Sequence, residues 1–132
     1  MKRMVLDASA VILFFEGRSG AEKIEEMLAE GVAGKAELFM SVVNWGEVYY
    51  STWRTHGRDA ARRAVAEISQ LPIEVVNADS DLTKVAAELR AIHNLPYADC
   101  FAAALAKIRE SQLATSDQDF AKVKSEIEIL FL

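Results

Sequence analysis

Short apolar runs alternate along this chain with longer segments in which apolar side chains recur at helical spacing. Residues 4–6, Met-Val-Leu, are apolar between charges and predict a buried strand. Residues 9–15 are predicted helical, stopping near Gly17. Ile24, Met27 and Leu28 share one face of a second helix, 21–29, which the pattern ends at Gly31. Residues 38–43 are a second apolar run, and a helix opens at Asn44. Ala61, Ala64, Val65 and Ile68 form one stripe of a helix over 60–69, stopped by Pro72. Residues 73–76 predict a third strand. Leu82, Val85, Ala86, Leu89 and Ile92 mark an amphipathic helix capped by Asp79 or Ser80. Phe101, Leu105 and Ile108 mark another, with Pro96 in its first turn. Residues 112–114 are a short strand, and Ile127, Ile129 and Phe131 alternate with Glu128 and Leu130 in the last one. Strands separated by helices predict an α/β fold with a mostly parallel sheet. Such sheets carry their sites at the carboxyl ends of the strands.

Length and composition narrow the class. A chain of 132 residues suits one domain, 1–132. At this size roughly two-thirds of the unfolded surface is buried, enough for a core without metal or disulfide staples. With 52% apolar and 27% charged residues, the composition excludes a disordered chain. One cysteine excludes an internal disulfide framework and fits a reducing cytoplasm. The longest apolar run, 10–15, is far short of the roughly 20 residues that span a bilayer, so no membrane association is expected. Met1-Lys2-Arg3-Met4 looks like a basic signal start, but Asp7 breaks the apolar region at once, and no targeting segment is expected.

Charge changes the picture. Fifteen basic residues against 20 acidic ones leave a net charge of −5. A protein that grips nucleic acid through phosphate contacts should be basic. Either nucleic acid is not the partner, or a metal supplies positive charge at the site.

The acidic residues stand where sites stand. Asp7 ends the first strand, and Asp117 and Asp119 follow the fourth. Glu47 lies one turn into the helix after the second strand, and Asp99 in the first turn of the helix that Pro96 opens. Each has a local use. Asp7 and Ser9 can cap the first helix, Asn44-Trp45-Gly46-Glu47 fits a capping box, Asp99 can oppose the helix dipole, and Asp117 can cap a helix near Phe120. Jointly they point elsewhere. Carboxylates meeting near 4 Å repel by roughly 4 kcal/mol per pair at an effective dielectric of 20. Such a cluster needs protonation or a cation, and oxygen ligands alone select Mg²⁺ or Mn²⁺.

Four segments carry a resemblance: Val5-Leu6-Asp7-Ala8-Ser9-Ala10-Val11-Ile12, Val43-Asn44-Trp45-Gly46-Glu47-Val48-Tyr49-Tyr50, Leu95-Pro96-Tyr97-Ala98-Asp99-Cys100-Phe101-Ala102-Ala103 and Thr115-Ser116-Asp117-Gln118-Asp119-Phe120. In this order they resemble the PIN-domain ribonucleases, and among these the VapC-type toxins of toxin–antitoxin pairs. The resemblance covers nearly the whole chain. It implies a three-layer α/β/α fold with a parallel sheet in the order 3-2-1-4-5 and Mg²⁺- or Mn²⁺-dependent cleavage of single-stranded RNA. Its acidic pocket maps onto Asp7, Glu47, Asp99 and Asp117 as catalytic and metal-ligating residues. Ser9 and Thr115 match its hydroxyl positions, which orient ligands or water, and Asp119 is an extra acid for a second ion. The toxin likeness also implies an antitoxin protein as partner.

Three features stand beside the acids. Arg54, Arg58 and Arg62 recur every four residues, with Arg63 adjacent, either as a solvated face or as a phosphate track for RNA; Gly57 interrupts their spacing. Trp45, Tyr49 and Trp53 form an aromatic row beginning beside Glu47, read as core, as the seam of a homodimer, or as the groove for an antitoxin segment. His56 and His93 follow helical segments and are expected at the surface, and Cys100 is expected to pack as a small hydrophobe. Other classes fit less well. A haloacid-type phosphohydrolase needs Asp-x-Asp after strand one, where this chain has Asp7-Ala8-Ser9. A receiver domain needs an Asp after strand three, where it has Val76-Asn77-Ala78. A PIN fold that binds without catalysis is the remaining alternative, and the presence of all four acids argues against it.

Overall fold

Alternation within the strands sorts side chains into two cores. The computed structural model describes residues 1–132. In it β1 (Lys2–Leu6), β2 (Ala36–Ser41), β3 (Ile73–Val76), β4 (Gln112–Thr115) and β5 (Ile129–Phe131) form one sheet in the order β3-β2-β1-β4-β5. Every pairing is parallel. Val5, Phe39 and Leu113 join one core with α5 (Ser80–His93) and α6 (Tyr97–Ile108). Met4, Leu6, Leu38, Met40 and Ala114 join the other, with α1 (Ala8–Phe15), α2 (Ala21–Val32), α3 (Val42–His56) and α4 (Arg58–Ile68). A strand segment buried on both faces favours apolar side chains on both, which is why residues 4–6 of β1 and 38–40 of β2 read as unbroken apolar runs. The expected three-layer α/β/α architecture and strand order are both present.

The helices follow their local signals with instructive departures. Helix α2 runs through Gly31 to Val32. Gly31 is a place of close approach, where a Cβ would stand 3.1 Å from Pro72 Cγ and 3.3 Å from Leu38 Cδ1. The turn is made later, by Gly34 at φ 75°. Helix α3 starts earlier than expected, at Val42, with Ser41 as its cap accepting from the Val43 amide at 3.2 Å. Asn44 is therefore inside the first turn, and the expected capping box is not formed there. On α5, Asp79 caps through the Leu82 amide at 2.9 Å, and the buried stripe is Leu82, Ala86 and Leu89; Ile92 is 70% exposed. Helix α6 is apolar nearly all round, and Cys100 to Ala106 are all buried. Cys100 Sγ donates to the Leu95 carbonyl at 3.4 Å, and burial pushes its thiol up, so it packs as a small hydrophobe.

Beyond β4, Asp117 opens a 3-10 turn, Gln118–Val123, whose Phe120 is fully buried. That ring anchors the segment carrying Asp117. Phe120→Ala is expected to destabilise the fold by about 3–5 kcal/mol, read from urea melts.

Candidate functional site

The carboxyl edge of the sheet encloses a cavity of about 210 Å³ whose walls include Asp7, Ser9, Glu47, Tyr50, Asp99 and Asp117. The position after each strand puts these side chains at one edge although they are far apart in the chain.

Asp7 ends β1 and caps α1. Its Oδ1 accepts from the Ala10 amide and from Ser9 Oγ, both at 2.8 Å, and its Oδ2 accepts from Thr115 Oγ1 at 2.6 Å. Those donors favour the carboxylate, but Asp7 is only 3% exposed. Burial outweighs them and pushes its pKa up to about 6, with the Glu47 charge adding to the rise. The two hydroxyls are held in turn by backbone. The Asp117 amide donates to Thr115 Oγ1 at 2.9 Å, and the Ser116 amide donates to Ser9 Oγ at 3.0 Å. Thr115 is fully buried and orients Asp7 and the Asp117 backbone, whereas Ser9 is half-buried on the cavity wall.

Glu47 reaches the cavity from α3. Burial raises its pKa, the hydrogen bond from Asn44 opposes the rise, and the Asp117 charge adds to it. Asp99 arrives from the first turn of α6. Burial, followed by the charges of Asp117, Glu47, Asp7 and Asp119, pushes it up to about 7. Asp117 accepts from the Asp119 amide at 2.9 Å and caps the 3-10 turn. Capping and clustering are thus not alternatives for Asp7 and Asp117, since each carboxylate does both.

Asp119 is exposed and does not line the cavity, although its charge reaches Asp99. The other four carboxylates ring the space without pinching to a point, and no group of three or more acids, histidines or cysteines stands at metal-binding spacing. The donors are nonetheless all oxygen, and their mutual repulsion is what a divalent cation would relieve. By chemistry they fit a hard cation.

The basic and aromatic rows fare differently. Gly57, at φ 93° and ψ 170°, ends α3, so Arg54 stands on α3 and Arg58 and Arg62 on α4. The three do not share one helical face. The Arg54 guanidinium lies over the Tyr50 ring and that of Arg58 over Trp53, each at 5.7 Å. Trp45, Tyr49 and Trp53 form a continuous ladder, with ring centroids 6.2 and 5.8 Å apart. Trp45 packs on the second core, but Trp53 is 45% exposed, so the row as a whole is not core. His56 is exposed beside Glu16, as expected. His93 is not a plain surface residue: it is partly buried and bonded to Glu126, which also accepts from Lys107 Nζ at 2.6 Å. The contributions of Asn44 and Tyr50 to the acidic end were the least visible in sequence. The signal that ties both to the site is helical spacing from Glu47, three residues to either side, and for Asn44 the same spacing suits a capping box.

No curated protein sequence matches the chain at a significant level. Solved structures do. VapBC2 from Rickettsia felis bound to a promoter DNA fragment has a chain of similar fold, with a TM-score of 0.78, 13% identity and 98% of each chain covered. VapC20 of Mycobacterium tuberculosis, a sarcin–ricin loop cleaving toxin, gives 0.70 at 21% identity over 89% of this chain and 92% of that one. A toxin–antitoxin complex from Klebsiella pneumoniae gives 0.69 at 22% identity over 96% and 95%. At these identities the likeness is one of fold. The family model for the PIN domain matches residues 4–126, a span that begins within β1 and holds β2 to β4, all six helices and every acid of the cavity, and this chain belongs to that family.

Proposed function

We propose that this chain is a divalent-metal-dependent endoribonuclease acting on single-stranded RNA, the toxin of a toxin–antitoxin pair. The observation that carries the reading is the ring of Asp7, Glu47, Asp99 and Asp117 around one cavity, with Asp7 and Asp99 pushed up to about 6 and about 7. Perturbed carboxyls in a cleft are a mark of a working site. Membership of the PIN family and the similar fold of a sarcin–ricin loop cleaving toxin support the same reading.

In this reading the four carboxylates hold Mg²⁺ or Mn²⁺. When bound, the cation supplies Lewis-acid chemistry, acidifying water and polarising the phosphoryl oxygens. The protein contributes orientation. Thr115 and the Ala10 amide fix the two oxygens of Asp7, and Thr115 also holds the Asp117 backbone. Ser9 Oγ on the cavity wall gives its proton to Asp7 and accepts from the Ser116 amide, leaving one acceptor position to orient a water, and Asp119, outside the cavity, serves any second ion. The products expected of in-line hydrolysis carry 5′-phosphate and 3′-hydroxyl ends. Arg54, whose guanidinium lies over the Tyr50 ring of the cavity wall, would meet RNA phosphate there, with Arg58 and Arg62 extending the contact from α4. The net charge of −5 is no obstacle once the cation inverts the sign of the site. The test is cleavage of single-stranded RNA with Mg²⁺ or Mn²⁺, expected to stop with EDTA and return on adding the cation. Binding of RNA without cleavage would instead identify a non-catalytic PIN module.

The reading extends to partners. A protein inhibitor needs an apolar track and access to the acids. The Trp45–Tyr49–Trp53 ladder begins beside Glu47 and offers both, and a basic side chain at the end of an antitoxin segment would pair with the carboxylates. The similar fold within a toxin–antitoxin complex supports such a partner. Trp53→Ala is expected to abolish inhibition by the antitoxin while cleavage persists, measured by titrating the antitoxin into the RNA assay. Conversion of a dimer to a monomer in solution would assign the ladder to a homodimer seam.

A further inference from the structure

Asn44 is fully buried in the first turn of α3. Its Nδ2 donates twice, to Glu47 Oε1 at 2.8 Å and to the Ala98 carbonyl at 3.1 Å. Carbonyl and carboxylate oxygens are acceptors, so the nitrogen must face them and the carboxamide can stand only one way round. In that orientation Oδ1 has no donor. An orphaned buried acceptor is a standing cost to folding. For packing alone, leucine would fill the same space without that cost. What leucine could not do is join Glu47 to the carbonyl that immediately precedes Asp99. Asn44 thus anchors on α6 beside one carboxylate and presents its other amide proton to a second carboxylate on α3.

We propose that Asn44 is a positioning residue for the cation site, with its carboxamide, anchored on the Ala98 carbonyl, holding the Glu47 carboxylate in the place where it meets a divalent ion beside Asp99. This rests on the cation reading above and adds a residue to it. The Ala98 carbonyl lies within α6 and keeps its helical acceptor role without Asn44. The main casualty of removing the amide is therefore the orientation of Glu47.

The test is a double-mutant cycle on Mn²⁺ affinity, with wild type, Asn44→Leu, Glu47→Ala and the double variant titrated by calorimetry. Asn44→Leu is expected to weaken Mn²⁺ binding by about 10- to 100-fold, the usual cost of losing the partner that orients a ligand. The melting temperature of its metal-free form should stay close to that of the wild type. In the Glu47→Ala background the same replacement should change affinity by less than about threefold, because the carboxylate it acts through is gone. Equal affinities of Asn44→Leu and wild type overturn the proposal, and so does the same loss in both backgrounds, which marks a merely structural residue. Should Asn44→Leu fail to fold, Asn44→Ser, too short to reach Glu47, takes its place in the same cycle. A wild-type protein that binds no Mn²⁺ removes the cation reading and this proposal together. A wild type that binds, with an unaffected variant, removes only the role of Asn44.

Discussion

Asp99→Asn is expected to cut RNA cleavage by about a hundredfold or more and, at neutral pH, to leave the cation-free protein more stable than the wild type. The two effects have one origin. Asp99 stands among Asp117, Glu47, Asp7 and Asp119, whose charges together with burial push it up to about 7. Asparagine keeps the shape and one oxygen, removes the repulsion, and takes away a charge that a cation needs. A carboxylate kept only to oppose the dipole of α6 would do the reverse, losing about 0.3–1 kcal/mol of stability and no activity. Asp7→Asn should behave like Asp99→Asn. Its remaining oxygen can still accept from the Ala10 amide, and its new amide can donate to Thr115 Oγ1, so the cap survives. Asp7→Ala loses the cap and about 1 kcal/mol with it. Cleavage rates, together with thermal melts in EDTA and in Mn²⁺, check all of this. Both asparagine variants should show a smaller Mn²⁺ shift, since stabilisation by a ligand follows affinity. Undiminished cleavage by Asp99→Asn would remove it from the site.

Raising the pH from about 4 to about 7 without divalent cation is expected to destabilise the protein, opposite to ordinary acid denaturation. The sign follows from proton counting. The ordinary pKa of Asp7 is 3.8, and in the fold it is about 6. Between those values the folded state holds a proton that the unfolded chain has released, so stability falls as pH rises. For this deeply buried group the full effect is about 3 kcal/mol. Asp99 extends the same slope toward neutrality, and Glu47 adds to it in direction. The three interact, so the observed midpoints belong to the cluster. Saturating Mn²⁺ should flatten the slope, because the cation binds the ionised carboxylates. Glu126 works the other way. Its hydrogen bonds from Lys107 and His93 hold it below the usual range, so its small surface contribution is present at neutral pH and lost in acid. Urea melts across this range, with EDTA and with Mn²⁺, measure both slopes. A stability that rises with pH in EDTA would show that Asp7 and Asp99 are not crowded.

Much of the architecture was legible because it is local. The apolar runs of β1 and β2 and the stripes of α4 and α5 record which side chains must leave water, and burial on one or two faces imposes its own period on the chain. The addresses of Asp7, Glu47, Asp99 and Asp117 were legible for the same reason: each follows a strand or opens a helix, and a parallel sheet brings those positions to one edge. Only the tertiary structure decided what happens between them. Asn44 and Glu47 look like a capping box at i and i+3, but β2 ends at Ser41, Ser41 takes the cap, and Asn44 turns inward to the Ala98 carbonyl. Gly31 looks like a helix stop and instead makes room for Pro72, on a distant part of the chain. His93 looks like a surface residue and meets Glu126. Thr115 carries a hydroxyl suited to water and spends it on Asp7. The physical reason is range. The period of an apolar stripe and the residues able to cap a helix are written within about one helical turn, so the sequence alone shows them. Close packing, buried hydrogen bonds and the repulsion that lifts Asp99 depend on distances in space between groups far apart in the chain, and only folding sets those.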